Sequence, residues 1–192
     1  MTWAPREERR AQGAPSASLL RINRNALSNI LVVGGAPAAR AAIAGALHRD
    51  SRLRGHPFCV TGSGCYEGLL RRSLLSWLGH DAGEAPLACD MGTLFVDDLC
   101  ALPADIQRLL LALACRLDGV PAEARQGPGP SRLAAGSASE PAAEVESGRL
   151  LAALHDSLDK LTIHLGTSRP EPQAPLDEAS GAESAGPARR GT

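Results

Sequence analysis

Gly92-Thr93-Leu94-Phe95-Val96-Asp97-Asp98-Leu99, followed closely by Leu102-Pro103, is the stretch on which the fold turns. Thr93 to Val96 is a short apolar run rich in residues that favour strands, and it is flanked by glycine and by two carboxylates. Such a run reads as a strand buried on both faces, as in a parallel sheet. Asp97 and Asp98 then fall at its carboxyl end, the edge of an open α/β sheet where ligands sit. Two acidic residues after a strand are also an ordinary turn or helix cap, and the spacing alone leaves both readings open.

Outward from this strand, the pattern repeats. After Pro103, apolar residues at Ile106, Leu109, Leu110, Leu113 and Leu117 mark one face of a helix. Upstream, Ile30 to Val33 predicts a buried strand running into Gly34-Gly35, and the Ala-rich stretch Ala38 to Leu47 predicts a helix. Pro57 to Thr61 predicts a second strand and Gly68 to Leu78 a second helix, ending near Gly79. Downstream, Arg132 to Ala135 reads as a strand, Gly148 to Leu158 as a helix and Leu161 to Leu165 as a last strand. Strands alternating with helices imply a parallel sheet with helices on both faces. This α/β unit is expected over residues 25–165. Residues 1–24 and 166–192 are rich in Pro, Gly, Ser and charge without periodicity, and are expected to be a flexible leader and a disordered tail. Gly62-Ser63-Gly64-Cys65 suggests a turn.

Composition excludes several classes of function. With 20 basic and 21 acidic side chains in 192 residues the net charge is -1, so no global field would hold a polyanion, and direct DNA binding is not expected. Five cysteines, an odd number without a C-x-x-C pair, argue against a disulfide framework or structural zinc. The five histidines are scattered over separate elements, which argues against a metal cluster. No apolar run approaches a membrane span and no signal peptide is evident, so a cytoplasmic location without membrane contact is expected.

The loop after the first strand, Gly34-Gly35-Ala36-Pro37-Ala38-Ala39-Arg40-Ala41, stands where a phosphate-binding loop would. A working loop of that kind, G-x-x-x-x-G-K-[ST], cradles phosphate with backbone N–H groups, neutralises it with a lysine and bends through glycines. Here only Gly34 matches the glycines. Ala39 takes the place of the second, where a left-handed backbone would cost about 1–2 kcal/mol. Pro37 removes an N–H. Arg40 keeps the lysine's charge as a wide planar fork. An ordinary strand–turn–helix explains the same residues. If the site is a nucleotide site, Asp97 is the Mg²⁺ ligand and Asp98 the group that orients and deprotonates water.

Taken together, these residues resemble the AAA+ domain of sigma-54-dependent transcriptional activators. Gly92 to Leu99 with Leu102-Pro103, Gln107, Leu110 and Leu111 is similar to that family's GTLFLDEI...LP...Q..LL segment. Ala46-Leu47-His48, Pro57-Phe58, Glu67-Gly68-Leu69-Leu70, Gly79-His80, Arg132 to Ala135 and Gly148-Arg149-Leu150 resemble further stretches of it. The resemblance implies an AAA+ P-loop NTPase-like α/β fold, a parallel sheet flanked by helices and here lacking the C-terminal lid. It also implies ATP and Mg²⁺ as cofactors and work on transcription through sigma-54.

The departures from the family follow its chemistry. Between His80 and Gly92 only DAGEAPLACDM stands where the family carries its sigma-contacting loop. Ala138 stands at the sensor asparagine, Leu151 and Ser157 at the two arginines that reach a neighbour's nucleotide, and Asp98 at the catalytic glutamate. The degenerate loop Gly34, Gly35, Ala39, Arg40 and Ala41 completes the set. The expectation is a pseudo-ATPase in transcription regulation, with ATP and Mg²⁺ binding weak or lost, acting by contact with full-length sigma-54 activators or their complexes. The alternative is an ATP-binding, ATP-hydrolysing regulator with a variant P-loop.

Overall fold

The computed structural model describes residues 27–62, 67–80, 83–121, 124–125 and 127–166. The expected leader, nearly all of the expected tail and the turn after Gly62 lie outside them. Among the described residues, five strands, β1 (Ile30–Val33), β2 (Phe58–Gly62), β3 (Thr93–Asp97), β4 (Arg132–Ser137) and β5 (Thr162–His164), form one sheet in the order β2-β3-β4-β1-β5. Every pairing is parallel. Parallel neighbours require crossovers, and helices supply them. These are α1 (Pro37–Arg49), α2 (Glu67–Trp77), α3 (Ala104–Asp118), α4 (Pro141–Glu146) and α5 (Ala152–Leu158).

Strand side chains alternate between the two faces, so each strand serves two cores. Leu31, Val33, Leu94, Val96, Leu133 and Ala135 pack with the apolar stripes of α2, α3 and α5. On that side α3 buries Ile106, Leu110, Leu113 and Leu117, the spacing read from the sequence. Ile30, Val32, Phe95, Ala134 and Ile163 face the other way, against Ala44 and Leu47 of α1. Helices thus cover both faces.

The expected strands and helices are found within one to three residues of their boundaries, except near residue 150. There the helix expected from Gly148 starts only at Ala152, and α4 precedes it. Gln107 explains the late start. Its side chain donates to the carbonyls of Leu102 (2.9 Å) and Arg149 (2.8 Å) and accepts from the N–H of Leu151 (3.0 Å), holding residues 149–151 in a non-helical run. Glu144 is buried beneath this run and ion-pairs with Arg149, whose guanidinium holds the carboxyl down at about 2.

Residues 85–89, between α2 and β3, lie against the body of the protein. Ala85 and Leu87 pack on the larger core, Cys89 is buried, and the Leu87 N–H donates to Ser73 Oγ at 3.0 Å. Cys59, Cys89, Cys100 and Cys115 are free thiols, and no metal-binding cluster occurs among the described residues. None of the described helices is long and apolar enough to cross a membrane.

Candidate functional site

The carboxyl ends of β1, β3 and β4 converge at one edge of the sheet, with Val33 paired to Ser137 and Val96 to Ala135. Here lie Gly34 to Ala41, Asp97, Asp98 and Ala138, the residues singled out by the sequence. Gly35, Pro37, Arg40, Gly62, Asp97, Asp98 and Ala138 line an open cleft of about 350 Å³.

The bend itself is short. Gly34 and Gly35 have φ of +80° and +66°, a conformation that favours glycine. Helix α1 begins at Pro37, where proline suits a first turn. The anticipated strain at Ala39 does not arise. Ala39 is helical, and the left-handed turn is made by Gly34 and Gly35 instead. The early start of the helix has a cost for anion binding, because N–H groups that could cradle a phosphate are already bonded. Those of Ala39 and Arg40 donate to the Ala36 carbonyl at 2.9 and 3.1 Å, and that of Gly34 to the Ser137 carbonyl at 2.8 Å. Pro37 has none to give.

Arg40 is only 2% exposed. It shares the inward stripe of α1 with Ala44, Leu47 and His48, so its guanidinium is carried under the bend, in the wall of the cleft, and does not project into the open space. Nε donates to Asp97 Oδ1 at 2.6 Å and Nη2 to Asp97 Oδ2 at 2.9 Å, a bidentate pair. Nη1 donates to the carbonyls of Gly35 (2.7 Å) and Gly34 (3.3 Å). The loop therefore presents carbonyl oxygens to a resident cation at the place where a phosphate loop presents N–H groups to an anion.

A magnesium triphosphate does not fit the site in this arrangement. Both oxygens of Asp97 are engaged by a guanidinium, whose charge opposes a second cation at the same carboxylate. Ala41 offers no hydroxyl and packs against the smaller core. Asp98 lies in the left-handed region (φ 54°, ψ 50°), which aspartate tolerates better than most residues, and its carbonyl accepts from the Ala101 N–H at 3.0 Å in the 3₁₀ turn Leu99–Ala101. Ala138 brings no polar side chain. Leu151 packs on the larger core and its N–H is held by Gln107, while the Ser157 carbonyl accepts weakly from Asn29. The structure thus gathers the loop, Asp97 and Asp98 into one site, and Leu151 and Ser157 lie on another part of the fold.

The sequence did not disclose the Arg40–Asp97 pair, yet signals for it were present. Thr93, Phe95 and Asp97 alternate onto one face of β3, and Arg40, Ala44, Leu47 and His48 recur at helical spacing. At the far end of the same stripe His48 Nδ1 lies 3.0 Å from Thr93 Oγ1. Helix α1 is clipped to β3 at both ends by polar pairs.

No protein-family model and no curated protein matches the chain. Among solved structures, NtrX from Brucella abortus aligns at TM-score 0.57 with 19% identity, over 78% of this chain and 34% of that one. NtrX in complex with ATP aligns at the same TM-score with 17% identity, over 83% of this chain and 39% of that one. The P-loop NTPase domain of the Sigma-54 transport activator from E. coli aligns more loosely, at TM-score 0.48 and 17% identity over 71% of this chain and 95% of that one. The chain spans little more than a third of the NtrX chains it matches. At these identities the two NtrX alignments speak to architecture alone, and they agree with the parallel order β2-β3-β4-β1-β5: the chain has an AAA+ P-loop NTPase-like α/β fold.

Proposed function

We propose that this chain is a sigma-54-activator-like AAA+ unit in transcription regulation that works by protein contact and not by nucleotide chemistry, a pseudo-ATPase. The observation that carries the reading is the bidentate Arg40–Asp97 pair, which occupies the metal-binding carboxylate with the protein's own cation. The N–H groups engaged within the bend and the bare Ala138 point the same way. Its partners are full-length sigma-54 activators or their complexes in the cytoplasm, without direct DNA contact. Ala85, Leu87 and Cys89, ahead of β3, pack on the body, which supports a chain that joins such complexes without supplying a sigma-contacting loop of its own.

A second reading, an ATP-binding and ATP-hydrolysing regulator with a variant P-loop, draws on the remaining cleft of about 350 Å³ and on NtrX having been solved with ATP and with ADP. The two readings separate on the purified full chain. The pseudo-ATPase reading expects no rise in melting temperature with ATP and Mg²⁺, since only ligands of the folded state stabilise it. A rise of several degrees, with phosphate release that drops in Asp98→Asn, establishes the second reading. Failure to copurify with any full-length activator removes the contact role.

A further inference from the structure

Around the Arg40–Asp97 pair, β4 contributes a residue with no side chain. Gly136 lies inside the strand between Ala135 and Ser137, and it is not among the glycines with positive φ. Its backbone would accept any residue, and a glycine inside a strand ordinarily weakens it. The demand comes from space. A methyl group on Gly136 would stand 2.1 Å from Asp97 Oδ1 and 3.1 Å from both Arg40 Nε and Phe95 Cζ. The ion pair is seated directly on bare backbone.

We propose that Gly136 is the positioning residue of an internal latch: it admits the Asp97 carboxylate against β4, where the fork of Arg40 closes on it, and any side chain at 136 would turn Asp97 out toward the cleft. This inference rests on the closed-site reading above. It adds that closure belongs jointly to Arg40 and Gly136, two residues far apart in sequence. In β4 the backbone is held by its neighbour, with Gly136 paired to Val32 of β1 and the Ser137 carbonyl accepting from the Gly34 N–H at 2.8 Å, so it has little freedom to yield. A side chain at 136 must therefore displace the pair.

The test follows the Arg40 Nε–H by NMR in the full chain, assigned by its disappearance in Arg40→Lys. A buried Nε–H bonded to a carboxylate exchanges slowly. In Gly136→Ala it should be lost or exchange at least about tenfold faster, the ordinary consequence of losing one hydrogen bond's worth of protection, with amide dispersion retained. An unchanged Nε–H in Gly136→Ala overturns the inference while leaving the closed site intact. Absence of a protected Nε–H in the wild type overturns the closed-site reading itself. Should Gly136→Ala fold poorly, the triple variant Arg40→Ala/Asp97→Ala/Gly136→Ala, set against Arg40→Ala/Asp97→Ala, decides. With the pair gone, the added methyl should lower the melting temperature much less than it does in the wild-type background. Equal losses in both backgrounds would mean that Gly136 merely clears Phe95, and the latch role falls.

Discussion

The two faces of the sheet are stabilised by different physics. The face covered by α2, α3 and α5 gathers twenty buried residues, nearly all apolar, into one cluster, whereas the face under α1 has seven. Those counts concern the described residues, and they leave α1 short of apolar support. What it has in addition is polar: Arg40 on Asp97 at one end and His48 against Thr93 at the other, with Arg132 buried in β4 on the same side. Burial pushes the Arg132 guanidinium down to about 10. On the first face, residues with chemical potential are few and the fold rests on area removed from water. On the second, the groups best suited to ligand chemistry hold a helix in place. On the proposed reading, a site used in this way does not also serve a ligand.

That contrast can be broken most severely at Asp97. Asp97→Ala leaves a buried guanidinium without its carboxylate, and loss of one partner of such a pair costs about 3–5 kcal/mol. Denaturant unfolding should show it. Removing both charges with Arg40→Met/Asp97→Leu should restore most of the loss, because apolar replacement of a buried pair is commonly neutral or better. If the double variant is as unstable as Asp97→Ala, the pair is doing something other than filling and neutralising the space. On the opposite face, Leu110→Ala should cost about 2–5 kcal/mol through lost burial and a cavity, and it should do so independently of Arg40, with the two effects adding within about 0.5 kcal/mol.

How much of this was visible in the sequence also divides by face. The spacing of Ile106, Leu110, Leu113 and Leu117 specifies α3 and its inward side because apolar burial is a local, periodic signal. The strand Thr93–Asp97 is legible for the same reason. Arg40 and Asp97 could be named as site residues from their place after strands, but their mutual pairing spans 57 positions and is set by how α1 crosses the sheet. Reading the loop against G-x-x-x-x-G-K-[ST] assigned Ala39 a strained bend, whereas Pro37 starts the helix early enough that the residue never leaves helical geometry. Helix α4 escaped notice because Pro141–Glu146 carries no apolar stripe. Its inward group is the carboxylate of Glu144, whose partner Arg149 lies beyond the helix.

The smallest expected effect sharpens the comparison at the other end of α1. Burial lowers the His48 imidazole below its usual 6.5, so the unfolded chain takes up a proton there before the folded one does. Stability from this site is therefore complete above about 6.5 and declines as pH falls below it. Thermal melts from about pH 7.5 down to about pH 5 should show a gradual fall, and His48→Asn should flatten that part of the profile. A pH response unchanged in His48→Asn would assign it elsewhere.

The claim on which the account stands is that Arg40, and not a magnesium triphosphate, occupies the Asp97 carboxylate. A crystal structure of the full chain grown with ATP and Mg²⁺ tests it directly. The account predicts Nε and Nη2 of Arg40 still paired with Asp97 and no nucleotide along residues 34–40. A triphosphate lying on that bend, with the metal on Asp97 and Arg40 swung away, would contradict it.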